Sequence, residues 1–227
     1  MQCSVCNQRI NGEYLKINDR AVCARCHHPE CLCYSCGRQM VPGREMRLAD
    51  FRTICHLCYA DAIFFLDQKI IVELKKSMEK LFCYPAVWPT FEVVGINKLM
   101  ELAGNSSKTV SGKCITDIEI CGQRRRVVAH TILVLFGLPR EHCFCVLTHE
   151  LFHAWLHENV DDGALKANEV EWLCDHLALL FAQIFNFNEQ WQKKMQYSRD
   201  HDRVSDSFKK KIVSLSVRQL LEHLKSL

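Results

Sequence analysis

Residues 145–157, CVLTHELFHAWLH, decide how the rest of the chain is interpreted. They contain the pattern His149-Glu150-x-x-His153 among apolar residues. On a helix the two histidines face the same side one turn apart, so both imidazoles can bind one zinc ion. Glu150 is angled to the side of that pair, where a carboxylate can act as a general base. The pattern therefore predicts a helix over residues 141–158 that carries half of a zinc site.

A second acidic motif lies in NEVEWLCDHLALLF, where Glu171 follows His153 by eighteen residues. Glu171 and Asp175 lie one turn apart on this second predicted helix. A glutamate there supplies the third zinc ligand, and an acid one turn later can hold a ligand histidine by its second ring nitrogen. Two histidines and one glutamate leave the fourth position for water, which is typical of catalytic zinc. Glu169 is the alternative ligand, but only Glu171 is followed by an acid at the fourth position.

Other polar residues near these motifs are assigned lesser roles. His142, His157 and His176 are interpreted as surface or packing histidines. A zinc peptidase also needs a donor for the developing oxyanion besides the metal. Tyr197 and His201 lie downstream of the third ligand and are the candidates for that role.

Fifteen cysteines are the other unusual feature, and nine of them lie in the first 58 residues. Eight form C-x2-C pairs, each of which presents two sulfurs to one metal ion. Two pairs complete a closed four-thiolate site, so the two zinc ions expected here are structural. The pairs are Cys3/Cys6, Cys23/Cys26, Cys33/Cys36 and Cys55/Cys58.

Two groupings of these pairs are open. Sequential grouping gives a LIM-like tandem of zinc knuckles, and cross-brace grouping gives a RING. The spacers of 16 and 18 residues are nearly equal, which favours the sequential grouping because one unit is then used twice. His28 with Cys31 could replace the second pair in a LIM domain. The cysteines predicted to be free are Cys83, Cys114, Cys121, Cys143, Cys145 and Cys174.

Three zones follow from these patterns: a LIM-like zinc module over residues 1–60, a connecting helix over 61–82 and a metallopeptidase domain over 83–227. The predicted class is α+β, with the module packed on a mainly helical, gluzincin-like domain that has a small antiparallel sheet. Thr131–Phe136 is the expected edge strand beside the site, where an extended substrate would add. Further helices are predicted over residues 165–187 and 207–224.

Composition excludes several classes of function. The longest apolar stretch is far shorter than the roughly 20 residues of a membrane span. The formal net charge is +3, and the first 60 residues fall to about −1 once eight thiolates hold two zinc ions, so nucleic acid is not an expected partner. The start shows no signal peptide, and so many cysteines without one indicate thiols or metal ligands in the cytoplasm.

Several segments resemble one known family, the DA1-type LIM-domain zinc metallopeptidases, which are ubiquitin-activated peptidases of gluzincin type. These segments are HTILVLFGLPR, THELFHAWL, EVEWLCDHLA, LSVRQLLEHL and the cysteine-rich CYSCGRQM with MRLADFRTICHLCYADAI. The resemblance covers nearly the whole chain and suggests a short member of the family. It implies that His149, His153 and Glu171 are zinc ligands and that Glu150 is the base.

The expected function is that of an intracellular zinc endopeptidase that cleaves protein substrates through a metal-activated water. The resemblance adds ubiquitin or ubiquitinated proteins as candidate partners. The alternative is a LIM-type interaction scaffold whose peptidase fold is inactive or weakly active. About three zinc ions per chain fit the first function, and about two fit the second.

Overall fold

The computed structural model describes residues 1–17, 20–27, 31–41, 43–81, 84–102, 110–122, 124–196 and 204–227. These residues form two compact units. One consists of Met1–Phe64 with Gly137–Arg140, and the other of Phe65–Phe136 with Glu141–Leu227. The chain is α+β, as the sequence predicts.

The described secondary structure comprises short strands in the first unit and longer elements in the second. The strands are β1 Tyr14–Ile17, β2 Arg20–Cys23, β3 Met46–Arg47, β4 Thr53–Ile54, β5 Ala62–Ile63, β6 Thr90–Val94, β7 Gly112–Cys121, β8 Arg124–Leu135 and β9 Leu138–Pro139. The α-helices are α1 His56–Ala60, α2 Gln68–Lys80, α3 Ile96–Leu102, α4 Arg140–Asn159, α5 Ala167–Ile184, α6 Glu189–Gln196, α7 Asp206–Val213 and α8 Val217–Leu224.

The first unit is made of two-stranded antiparallel ladders. β1 pairs with β2, β3 with β4, and β5 with β9. The segment directly after β8 therefore contributes to the first unit, because Leu138–Pro139 forms a strand there. A side-chain carbon added at Gly137, where φ is 71°, would lie 2.7 Å from Leu48 Cδ1. That glycine lets residues 137–140 pack closely on the small apolar core of this unit.

The second unit contains a three-stranded sheet in the order β6-β8-β7. The sheet is mixed rather than wholly antiparallel, because β6 runs parallel to β8 while β7 runs antiparallel to it. The expectation that Thr131–Phe136 is the edge strand is wrong. Thr131 pairs with Thr90 on one side and with Ile115 on the other. A long apolar run marks a strand buried between two neighbours, and the edge strands among the described residues of this sheet are β6 and β7.

Helices α4 and α5 confirm the two helices predicted around the zinc motifs. α4 buries residues on every side, including Leu147, Leu151 and Phe152, which are fully inaccessible. A helix buried all round belongs to the interior of its domain. Within the described ranges, no helix combines the length and the apolar character needed to cross a membrane.

Two predicted helices have different bounds, and capping explains both. The connecting helix begins only at Gln68, since the Asp67 carboxylate accepts a hydrogen bond from the Ile70 N–H at 2.8 Å. The helix predicted over residues 207–224 is broken into α7 and α8. Ser216 and Gln219 form a capping box, in which each side chain bonds the backbone N–H of the other. Such a box satisfies N–H groups that only a helix start leaves open.

Candidate metal centres

Helices α4 and α5 bring the predicted ligands His149, His153 and Glu171 together. The Nε2 atoms of the two histidines are 3.1 Å apart. The two carboxylate oxygens of Glu171 lie 3.6 Å from them, one from each nitrogen. Zinc bonds of about 2.0–2.2 Å in a tetrahedron require ligand separations of this size. The three side chains could therefore hold one metal ion.

Asp175 orients one of these histidines. Its Oδ1 lies 2.9 Å from Nδ1 of His149. A carboxylate at that distance keeps the proton on Nδ1, so Nε2, which lies next to Glu171 and His153, is the nitrogen that can bind a metal ion. This contact between a carboxylate and a ligand histidine is the one that the Glu171–Asp175 spacing predicts.

The ionisable side chains of this centre together favour the binding of one additional positive charge. Burial acts to lower the pKa of His149, but its hydrogen bonds to Asp175 and Glu171 raise it well above the ordinary value. Burial and then the neighbouring His149 lower the pKa of His153 to about 3. For Glu171 the effect of burial is overcome by His149 and His153, so its pKa is lowered. A site that stabilises a proton in this way has the electrostatics to stabilise a bound cation.

Glu150 lies beside the ligands and is only 7% exposed. Burial raises its pKa to about 7, although the nearby His149 opposes that effect. The N–H of Cys114 on the edge strand β7 donates a hydrogen bond to this carboxylate. Because that N–H points to Glu150, the outer edge of β7 faces the centre. A buried carboxylate with a pKa near neutrality is suited to accepting and returning a proton.

Gly112, at the start of β7, makes this close approach possible. A side-chain carbon at Gly112 would lie 2.8 Å from Glu150 Oε1 and 2.5 Å from Val146 Cγ1. Contacts under 3 Å force a neighbour to shift, so a larger residue at Gly112 would displace the side chain of Val146 or Glu150. The sequence carries no signal for this contact, because the pairing of β7 with α4 is purely tertiary.

The alternative ligand Glu169 has another role. Its Oε2 accepts a hydrogen bond from the Lys166 N–H at 2.9 Å, which caps the start of α5. Tyr197 and His201, the candidate oxyanion donors, lie outside the described residues.

The remaining histidines stack on aromatic rings or form hydrogen bonds through their main chain. His142 stacks on Trp191 with ring centroids 4.7 Å apart, and His176 stacks on Trp172 at 5.1 Å. The main-chain carbonyl of His157 accepts a hydrogen bond from Arg125 at 3.1 Å. None of these three joins the clusters of potential metal ligands found among the described residues.

Cys174, predicted to be a free thiol, lies at the same centre. Its sulfur and one ring nitrogen from each of His149 and His153 are all within 4.8 Å of one another. The sequence interpretation missed this contact, although the signal was present: Cys174 follows Glu171 by three residues and so shares its face of the helix.

The eight paired cysteines form two further clusters in the first unit. Cys3 and Cys6 join Cys23 and Cys26, and the third pair joins the fourth, with sulfurs within 4.8 Å of one another in each cluster. This is the sequential grouping and not the cross-brace. Both clusters could hold metal ions. Cys31 joins neither of them, and His28 lies outside the described residues.

Each cluster is built on the same turn. The N–H of Cys3 bonds the carbonyl of Gln8, and the N–H of Cys33 bonds that of Arg38. Each turn has one residue in the left-handed region, Asn7 with φ 58° and Gly37 with φ 63°, residue types that tolerate it. In each cluster the first sulfur accepts a backbone N–H from a distant cysteine, at 3.4 Å from Cys23 and 3.3 Å from Cys55. The structure therefore uses one local unit twice.

Hydrogen bonds prepare these sulfurs for metal binding. Although burial opposes the effect, the backbone N–H groups of Cys23 and Cys6 lower the pKa of Cys3 to about 6. The neighbouring Cys36 lowers the pKa of Cys33 to about 6. A thiolate is the form that binds metal. The fourteen cysteines in the described part of the chain are all without disulfide bonds.

Comparison with known proteins gives one match. The family described as DA1-like (Protein DA1) matches residues 94–226, which is more than half of the chain and includes α4, α5 and the three predicted ligands. No curated protein and no solved structure is similar enough to match. The matched region and the motifs within it place the chain in a family: it belongs to the DA1-like proteins.

Proposed function

We propose that this protein is a zinc-dependent endopeptidase that cleaves protein substrates. The observation that carries the proposal is the convergence of His149, His153 and Glu171, with Glu150 beside them and Asp175 behind His149. Two imidazoles and a carboxylate are the donor set of catalytic zinc. The expected cofactors are one catalytic zinc ion here and one structural zinc ion in each four-cysteine cluster.

The zinc ion would supply Lewis acidity, which makes a water molecule nucleophilic at neutral pH and polarises the scissile carbonyl. Glu150 accepts a proton from the attacking water and then donates it to the leaving amine as the C–N bond breaks. Asp175 holds the His149 ring in place through Nδ1. Gly112 and the Cys114 N–H fix the position of the Glu150 carboxylate.

The edge strand β7 supports an extended polypeptide as the substrate. It pairs with β8 on one side, and among the described strands it has no partner on the other. That outer edge faces Glu150, through the Cys114 N–H. A substrate that added to β7 as a further strand would run past the centre with its main chain fixed by hydrogen bonds. Proteins in an extended conformation are thus the proposed substrates.

Resemblance to ubiquitin-activated peptidases makes ubiquitin or ubiquitinated proteins candidate partners. The described cysteines, which are without disulfide bonds, support a reducing, cytoplasmic location. The second candidate function is a protein-interaction scaffold. It is favoured by apolar side chains that the first unit exposes, such as Phe51 and Leu57 at 72% and 51%, since exposed apolar patches mark interaction surfaces.

Substitution of Glu150 by Gln tests the peptidase function. The amide keeps the shape but cannot accept a proton, so cleavage should fall by roughly 10²- to 10⁴-fold while the zinc content stays the same. The assay uses a substrate that the wild type demonstrably cuts, found by screening unfolded proteins with and without ubiquitin conjugates. Glu169→Gln is the matched control and should retain activity. Equal cleavage by Glu150→Gln and the wild type would contradict the proposal and favour the scaffold.

A further inference from the structure

Cys174 lies on α5 between two residues of the metal centre, three positions after Glu171 and one before Asp175. Its side chain is fully buried, with 0% exposure. Its sulfur lies within 4.8 Å of one ring nitrogen of each of His149 and His153. The thiol therefore borders the centre itself.

Helix geometry explains why both the thiol and the carboxylate reach the centre. Residues three and four positions apart share one face of a helix, so Glu171, Cys174 and Asp175 all face α4. The Glu171 side chain is 45% exposed and approaches the histidines from solvent. Cys174 approaches them from the protein interior.

Burial alone does not account for this position. Cys143 and Cys145, on α4, are also buried, with exposures of 1% and 0%. Neither belongs to a cluster of potential metal ligands among the described residues, whereas Cys174 does. Among the described residues there are thus buried cysteines within a cluster of potential metal ligands and buried cysteines outside any cluster. Cys143 and Cys145, on α4, are of the second kind and serve as internal controls.

We infer that Cys174 is a fourth protein donor to the metal at this centre. The sulfur and the two histidine nitrogens form one cluster, and the Glu171 carboxylate, which lies outside that cluster, must move toward the sulfur to complete a set of two nitrogens, one oxygen and one sulfur, all of which zinc accepts. On binding, a sulfur–zinc bond replaces the bond from a water ligand, and the thiol releases its proton to solvent. This closed form has no position for water. This step rests on the proposed function. The closed form, in which the sulfur takes the place of water, is then the inactive state of the peptidase, and the form with bound water is the active state.

Cobalt(II) is the probe, because thiolate ligands give it a strong near-ultraviolet charge-transfer band that nitrogen and oxygen ligands do not. The full chain is partly stripped with a chelator and titrated with Co²⁺. A His149→Ala/His153→Ala variant, treated identically, gives the signal from the cysteine clusters, which is subtracted. For the wild type we expect a remaining band equivalent to one thiolate, and for Cys174→Ala none. Cys145→Ala should keep the wild-type band.

Affinity gives a second readout that does not depend on catalysis. Competition with a chromophoric chelator should show Co²⁺ bound about tenfold or more weakly by Cys174→Ala than by Cys145→Ala. If Cys174→Ala does not fold, Cys174→Ser serves instead, and cobalt-edge X-ray absorption of the wild type, after subtraction of the spectrum of the His149→Ala/His153→Ala variant, should show a sulfur neighbour at this centre. Unchanged band and affinity in the folded variant, or no sulfur neighbour in that difference spectrum, would overturn the inference. A failed Glu150→Gln test would overturn only the peptidase function and leave these results standing.

Discussion

The cysteine clusters and the histidine centre both gather potential metal ligands, but different kinds of backbone hold them. Each cysteine cluster depends on tight turns, and short ladders of two to four residue pairs surround it. The histidine centre is held by two long helices, α4 and α5, with side chains such as Leu151 and Phe181 fully buried around them. We therefore expect the first unit to need bound metal in order to fold, whereas the second unit should fold without metal and hold its metal-binding side chains in place.

The largest expected difference between the two regions is in folding. Cys55→Ser removes a sulfur from a cluster in which a structural zinc ion would supply about 10–16 kcal/mol of apparent folding free energy. We expect residues 1–64 to lose protection from hydrogen exchange, as measured by mass spectrometry. His153→Ala should change the free energy of unfolding of the second unit by less than about 2 kcal/mol, because its core remains intact. Retained protection of residues 1–64 in Cys55→Ser would break the comparison.

A smaller effect on stability is expected at Gly112, which lies against the candidate general base Glu150. Gly112→Ala inserts a methyl group against Val146 and Glu150, and overpacking of this kind costs about 1–3 kcal/mol in urea unfolding. Gly12→Ala is the control, since nothing lies within 4 Å of its added carbon. It should change stability by less than about 0.5 kcal/mol.

The double variant Gly112→Ala/Val146→Ala separates packing from positioning. It removes the clash with Val146 but keeps the contact with Glu150. We expect it to regain much of the lost stability while cleavage stays impaired. Full recovery of both would show that Gly112 does not position Glu150.

The smallest expected effect concerns the orientation of one ligand. In Asp175→Asn the side-chain amide can still accept the Nδ1–H of His149, but without the negative charge. Metal affinity at the centre should fall about tenfold, roughly 1.4 kcal/mol, as loss of such partners typically does. Asp161→Asn, in an exposed loop, should leave the affinity unchanged when both are measured by competition with a chelator. Equal affinities would mean that Asp175 does not tune the ligand.

Features that depend on local spacing could be predicted from the sequence, whereas features that depend on long-range contacts could not. The i, i+4 spacing of His149 and His153 and the C-x2-C pairs are local, so their geometry can be predicted from spacing alone. Strand pairing is not local: the apolar run in Thr131–Phe136 marks a buried strand but does not identify β6 and β7 as its neighbours. The Gly112 contact with Glu150 depends on that pairing and could not be predicted either. Helix caps are an intermediate case. The Ser216–Gln219 spacing is a local signal for the start of a helix, but the hydrophobic periodicity of residues 207–224 concealed it.

Metal content is the most direct test of the central claim that the chain has two kinds of metal centre. Purified wild-type protein should contain about three zinc ions per chain by elemental analysis. His149→Ala/His153→Ala should contain about two, with hydrogen exchange of residues 1–64 unchanged. Equal zinc contents in the two proteins, or a wild type that holds only two ions in the cysteine clusters, would contradict the account.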